Sequence, residues 1–186
     1  MNLVFLGPPG SGKGTQAVRV ARQLGVTHLS TGDVLREAVK NGTALGKQAE
    51  GYMKRGELVP DDLIIGLIEN KITGGALDNG FILDGFPRTM EQARSLKTMF
   101  EKNKIRLDKA ILLKVSDQEI IKRIAGRAAA EGRADDTEDV VRNRLDVYNK
   151  QTKPIEVFYR EESILTEIQG EDTMENVFQK VMSALK

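Results

Sequence analysis

The chain has no cysteine and no tryptophan, and only one histidine, His28. Without cysteine there can be no disulfide, no thiolate nucleophile and no cysteine-held zinc. One histidine leaves almost no material for imidazole acid–base or metal chemistry, and His28 is expected to sit passively beside a strand. No apolar run approaches the ~20 residues that a membrane span needs. The N-terminus runs straight into a strand, without the basic and apolar stretch of a secretory leader. An excess of charge of one sign is also missing. Lys plus Arg number 28 against 27 Asp plus Glu, a net +1, so nothing global points to nucleic acid or a membrane surface. No exposed apolar stripe, repeat or low-complexity tract is evident. These absences predict a cytoplasmic, soluble monomer, and 186 residues suffice for one domain with a proper core.

What is present is concentrated near the start. The strand-favouring run Asn2-Leu3-Val4-Phe5-Leu6 leads into Gly7-Pro8-Pro9-Gly10-Ser11-Gly12-Lys13-Gly14-Thr15, and a helical pattern follows through Leu24 to Gly25. Strand, glycine-rich turn and helix make the setting of a phosphate-binding loop. Glycines let successive backbone N–H groups point into one concavity. The helix that begins there adds its positive end, and Lys13 adds a mobile cation for the outer phosphates. The spacing Gly7-x4-Gly12-Lys13 fits the phosphate-loop pattern with one departure: Gly14 stands where Ser or Thr is usual, and the hydroxyl follows as Thr15.

Farther along, His28-Leu29-Ser30, Gly80 to Asp84, Ala110 to Val115 and Ile164 to Ile168 read as strands, each set off by turn or capping residues. Two short helices, broken at Asn41-Gly42-Thr43, fill the span between Ser30 and Pro60, and Pro60-Asp61-Asp62 opens the next helix. Thr89-x-x-Gln92 and Ser116-x-x-Glu119 read as capping boxes. Residues 126–136 carry neither strand nor long-helix pattern, and a helix with Val140, Val141, Leu145 and Tyr148 follows. Alternation of strand and helix predicts α/β architecture, a parallel sheet of five strands with helices on both faces. In such sheets ligands gather at the carboxyl ends of the strands, which brings residues 7–15, Thr31 to Arg36, Asp84 to Arg88 and the segment after Val115 to one rim.

Arginines crowd that rim: Arg36, Arg88, Arg123 and Arg127 on one helix face, Arg133, and Arg144. Phosphoryl transfer asks the protein mainly to hold two anionic substrates in line and to neutralise the moving charge, a task that suits guanidinium groups. Asp84, at a strand end facing the loop, is placed to hold Mg²⁺ through water. No side chain reads as a catalytic base, which disfavours a hydroxyl acceptor and suits a phosphate acceptor that is already ionised. A switch GTPase is disfavoured because Asn149-Lys150-Gln151-Thr152 and Asn103-Lys104-Ile105-Arg106 both lack the Asp of an Asn-Lys-x-Asp base reader.

Taken together the motifs resemble the adenylate kinase family. The residues that carry the likeness are the loop at 7–15, Ser30-Thr31-Gly32-Asp33 with Arg36, Gly80 to Thr89 with Gln92, Arg123 to Arg127, and Arg133-Ala134-Asp135-Asp136 with Arg144. The likeness spans the whole chain and accounts for Gly14-Thr15, since that family carries Gly-Lys-Gly-Thr. It implies a P-loop fold and reversible transfer between ATP and AMP, giving two ADP, with Mg²⁺. ATP would be held by Gly10, Ser11, Gly12, Lys13, Gly14, Thr15, Arg123, Arg127 and the Gly170 backbone. AMP would be held by Thr31, Arg36, Glu57, Leu58, Val59, Gly85, Phe86, Pro87, Arg88 and Gln92, with Gln92 reading the adenine edge. Arg133 and Arg144 would reach the phosphates on closure, and Lys13, Arg88, Arg133 and Arg144 would act on the transferring group. The implied division is a core of 1–29, 60–125 and 137–186, an AMP lobe of 30–59 and a lid of 126–136. That lid is the short form, about ten residues, with hinges expected near Gly126 and Gly132 and no structural zinc. A UMP/CMP kinase of the same fold is the nearer alternative, disfavoured by Thr31, where such relatives tend to carry Ala, and by the setting of Gln92. A nucleotide-binding protein without turnover is the other.

Overall fold

The computed structural model describes residues 1–75, 77–131 and 137–186, with side chains between 127 and 131 outside that description. Five parallel strands form one sheet: β1 (Asn2–Leu6), β2 (Thr27–Ser30), β3 (Phe81–Asp84), β4 (Lys109–Lys114) and β5 (Leu165–Gln169), in the order β2-β3-β1-β4-β5. The helices, in chain order, are α1 (Lys13–Leu24), α2 (Thr31–Lys40), α3 (Ala44–Arg55), α4 (Asp61–Thr73), α5 (Met90–Lys102), α6 (Asp117–Glu131), α7 (Glu138–Val147), α8 (Ile155–Glu161) and α9 (Met174–Ala184).

The three inner strands, β1, β3 and β4, are largely apolar because both of their faces are covered, while the edge strands β2 and β5 are more polar. Their side chains alternate by face. Val4, Leu6, Leu83, Ala110 and Leu112 join one core with Ile64 and Ile68 of α4, Leu96 of α5 and Ile155 of α8. Leu3, Phe5, Ile82, Ile111 and Leu113 join the other with Ala17 and Val20 of α1 and Val177 and Val181 of α9. β1 is paired with β3 on one side and β4 on the other, so the turn after β1 opens at the point where the strand order reverses.

Between β2 and α4, α2 and α3 form a helical hairpin. Ser30 caps α2 by accepting the Asp33 N–H at 3.2 Å, and Thr43 caps α3 by accepting the Gly46 N–H at 3.1 Å. α3 ends at Gly56, where φ is +71° and Glu57 N–H reaches back to the Tyr52 carbonyl at 2.9 Å. The hairpin is close-packed: a Cβ on Gly46 would lie 2.1 Å from the Ala38 carbonyl oxygen of α2. Any side chain there must push the two helices apart. Gly46→Ala is therefore expected to lower the unfolding free energy by about 3 kcal/mol, measured by urea titration. A loss under 0.5 kcal/mol would mean the hairpin yields easily.

The five-stranded sheet and the inserted hairpin match expectation. Three local readings need correction. The stretch from Gly126 is helical: α6 runs on to Glu131, carried by Ala128-Ala129-Ala130, strong helix formers even without an apolar stripe. Gly126 thus lies inside a helix, while Gly132 lies outside the described residues. The box at Ser116 is not closed as expected. Glu119 pairs with Arg123 at 2.8 Å, and Ser116 N–H is taken by Glu171 at 2.5 Å. The helix with Tyr148 does not simply end: α7 passes into a π-helical turn, Tyr148–Thr152, and then, after Lys153-Pro154, into α8.

Candidate active site

The loop after β1 owes its shape to glycine. Gly7, Gly10 and Gly12 have φ of +138°, +80° and +90°, conformations that L-residues rarely adopt. Gly14 is placed differently. It lies in the first turn of α1, and a Cβ there would sit 3.3 Å from Asp84 Oδ2. The small residue lets the carboxylate approach the loop. Lys13 Nζ folds back over the loop, donating to the carbonyls of Gly7 at 2.6 Å and Pro8 at 2.8 Å and to Ser11 Oγ at 3.4 Å. The ammonium group is thus held beside the concavity by contacts that phosphate oxygens can replace.

Asp84 ends β3 between Phe5 of β1 and Ser30 of β2, at the carboxyl edge. Its side chain is only 12% exposed, and His28 Nε2 lies 3.6 Å from its Oδ2. His28 Nε2 is buried with no hydrogen-bond partner among the described residues. His28 is in the wall of the cleft, beside Asp84, on the same face of β2 as Ser30. Among the described residues no cluster of three metal-ligating side chains occurs. A lone carboxylate near a phosphate loop fits Mg²⁺ that arrives on a nucleotide, because that ion keeps most of its water and takes one or two carboxylates.

One cleft of about 1050 Å³ is walled by Gly10, Ser11, Gly12, Lys13, Gly14 and Thr15, together with Asp84, Arg123 and Gly170. A smaller recess beside it is walled by Thr31, Glu57, Val59 and Gln92. Gly32, Arg36, Leu58, Gly85, Arg88 and Arg144 line both. Arg36, Arg88 and Arg144 therefore stand between the two recesses.

Arg36, Arg88 and Arg123 are positioned by backbone or carboxylate. Arg36 Nη2 bonds Asp33 Oδ1 at 2.5 Å. Arg88 is held at three points: its N–H by Gln92 Oε1 at 2.7 Å, its carbonyl by the Thr152 hydroxyl at 2.8 Å, and its Nε on the Gly85 carbonyl at 2.8 Å. Thr31 Oγ1 donates to the same Gly85 carbonyl at 2.8 Å. Arg123 donates to the Gly170 carbonyl at 2.9 Å and to the Ser11 carbonyl at 3.5 Å, so two residues expected around one nucleotide lie together. Asn143 Nδ2 donates to the Arg55 carbonyl at 2.6 Å, tying the helix that carries Arg144 to the end of α3.

Glu57 turns its carboxylate to Arg55 at 2.9 and 2.8 Å, and that bonding holds its pKa below the ordinary range. Burial, with Glu156 beside it, pushes the Tyr148 phenol far above its ordinary range, so this residue of the cleft wall stays a neutral hydroxyl.

Phe86 is fully buried and packs in the core. Pro87, joined to it by a cis peptide bond, is in the cleft wall. Arg133 and the Arg127 side chain lie outside the described residues. Thr152 and Asp61, each hydrogen-bonded to the Arg88–Gln92 segment, carry no motif and were not anticipated.

A family model described as Adenylate kinase matches residues 5–164. Relatives named Adenylate kinase include one from Leptospira biflexa serovar Patoc, 46% identical over 183 residues and 98% of each chain. Another, from Stenotrophomonas maltophilia strain R551-3, is 44% identical over 186 residues and the whole of both chains. A third, from Kocuria rhizophila, is 41% identical over 184 residues, 99% of this chain and 98% of its own.

Proposed function

The chain belongs to the adenylate kinase family, whose members transfer a phosphoryl group reversibly between ATP and AMP to give two ADP, and we propose how its own residues divide that work. The observation that supports the division is the shared wall: Arg36, Arg88 and Arg144 line both the cleft over the phosphate loop and the recess beside it. ATP lies with its phosphates in the loop at 10–15, under Arg123 and against Gly170. AMP lies in the recess, its base toward Gln92 and its phosphate toward Arg36 and Arg88. An oxygen of the AMP phosphate forms the new bond to the γ-phosphorus, and the bond from that phosphorus to the β–γ bridging oxygen breaks, leaving ADP on each side.

No proton must be removed from an ionised phosphate, so the transfer needs no side chain as a base. Lys13 exchanges its loop carbonyls for the moving phosphoryl group, and Arg88 and Arg144 offset the repulsion between the two anions. Mg²⁺, carried on ATP, would supply further charge neutralisation beside Asp84, held through water. Residues 30–59 serve as the AMP lobe and 126–136 as a short lid that excludes water as a competing acceptor. Among the described residues no helix is long and apolar enough to cross a membrane.

The test supplies ATP with AMP, CMP, UMP, GMP or dAMP in separate reactions and follows diphosphates by chromatography. Rapid ADP formation with AMP, weaker with dAMP and abolished by EDTA, is expected. Faster turnover with CMP or UMP would overturn the roles of Thr31 and Gln92. Undiminished turnover in EDTA would overturn the metal role of Asp84.

A further inference from the structure

Gln92 is 2% exposed, yet it borders the recess assigned to the AMP base. Its amide is gripped at both ends. Oε1 accepts the Arg88 backbone N–H at 2.7 Å, and Nε2 donates to Asp61 Oδ1 at 2.8 Å. The other Asp61 oxygen accepts from the Thr89 hydroxyl at 2.9 Å, and Thr89 Oγ1 accepts the Gln92 backbone N–H at 3.1 Å. The carboxylate is thus fixed in rotation and wedged between α4 and the first turn of α5. A backbone N–H can only donate and a carboxylate can only accept. Only one of the two amide orientations satisfies both neighbours, with Oε1 toward Arg88 and Nε2 toward Asp61.

Orientation matters because purines differ in the direction of their hydrogen bonds at this edge. Adenine presents an N6 donor beside an N1 acceptor. Hypoxanthine presents an O6 acceptor beside an N1–H donor, in the same two places. An amide offers one donor and one acceptor, so one orientation pairs with adenine and the flipped one with hypoxanthine or guanine. A freely flipping amide would read both. One lone pair of Oε1 and one N–H of Nε2 remain beyond the contacts to Arg88 and Asp61, enough for a bidentate pairing.

We propose that Asp61 is a specificity-determining residue: at Nε2 it adds a second penalty on the flipped Gln92 amide to the one that the Arg88 N–H sets at Oε1, and so makes the recess read a 6-amino purine and reject a 6-oxo purine. This rests on the reading that Gln92 meets the base. Asp61 also sits in the first turn of α4, where a carboxylate favours the helix N-terminus. A residue acting only there would weaken AMP and IMP binding alike.

The experiment measures kcat/KM for AMP and for IMP with ATP as donor, and the affinity of each by direct titration without a donor nucleotide. Asp61→Asn keeps the shape but can face Gln92 with either a donor or an acceptor. It is expected to lower the AMP-over-IMP preference roughly tenfold in both measurements, with KM for ATP unchanged. Asp61→Glu, still an acceptor only, is expected to keep more of the preference than Asp61→Asn does. Should Asp61→Asn fail to fold, Asp61→Ser carries the same expectation. Gln92→Ala separates the two readings. If it leaves the preference intact, Gln92 does not meet the base and the site assignment falls. If it erodes the preference while the Asp61 variants do not, only the role of Asp61 is overturned.

Discussion

Lys13→Met is expected to lower kcat about 10³-fold, a loss of about 4 kcal/mol of transition-state stabilisation, with little change in KM for AMP. The expectation follows from where the ammonium group sits. Its Nζ lies 2.6 and 2.8 Å from the Gly7 and Pro8 carbonyls and 3.4 Å from Ser11 Oγ, at the mouth of the loop. Those partners are neutral. A phosphoryl group in transit carries charge over three oxygens, so the attraction that replaces these bonds grows as the reaction proceeds. Methionine keeps most of the length and none of the charge. The loop should keep its shape, because its glycine conformations and the Ser11 N–H bond to the Pro8 carbonyl at 3.2 Å do not involve the lysine side chain. Steady-state kinetics with ATP and AMP varied separately provide the check, alongside a thermal melt. A loss of under tenfold in kcat, or one that appears only in KM for ATP, would reduce Lys13 to a ground-state phosphate contact.

The phosphate loop was readable from sequence because its constraints are local. Positive φ at Gly7, Gly10 and Gly12, a strand before and a helix after are decided within a few residues. Gly14 shows the limit: its φ is not positive, and its tightest neighbour is Asp84 Oδ2, 70 positions later, 3.3 Å from where a Cβ would sit. The inner strands β1, β3 and β4 were legible for a similar reason, since burial on both faces leaves near-continuous apolar runs. Less legible were contacts set only by the fold. Thr152 reaches the Arg88 carbonyl across 64 positions, and Asp61 reaches Gln92 across 31. Neither has a spacing that sequence could announce. Asp61 was read for its place after Pro60 as a helix start, a correct reading that hid its second contact. The helical stretch through residue 131 was missed differently. It was judged by apolar periodicity, which alanine does not supply, when intrinsic propensity was the informative property.

Arg88→Lys is expected to lower kcat/KM for AMP about 10³-fold while leaving KM for ATP within about twofold. Charge is conserved in this exchange, so the loss measures geometry. Arg88 spends Nε on the Gly85 carbonyl at 2.8 Å, and its main chain is pinned by Gln92 Oε1 and the Thr152 hydroxyl. The planar fork can hold that carbonyl and still present its terminal nitrogens toward the space shared by the two recesses. Lysine has one nitrogen on a flexible stem. It can hold the Gly85 carbonyl or reach a phosphate, not both in the geometry of the fork. The Gly85 carbonyl keeps the Thr31 hydroxyl in both proteins, so the turn should survive and the defect should lie in substrate handling. Kinetics with AMP varied at saturating ATP, and AMP binding measured without ATP, separate the outcomes. Equal losses toward both nucleotides would mean that Arg88 shapes the cleft as a whole. A loss confined to AMP would place its guanidinium on the acceptor phosphate, the one anion that must come close to the phosphate loop without binding to it.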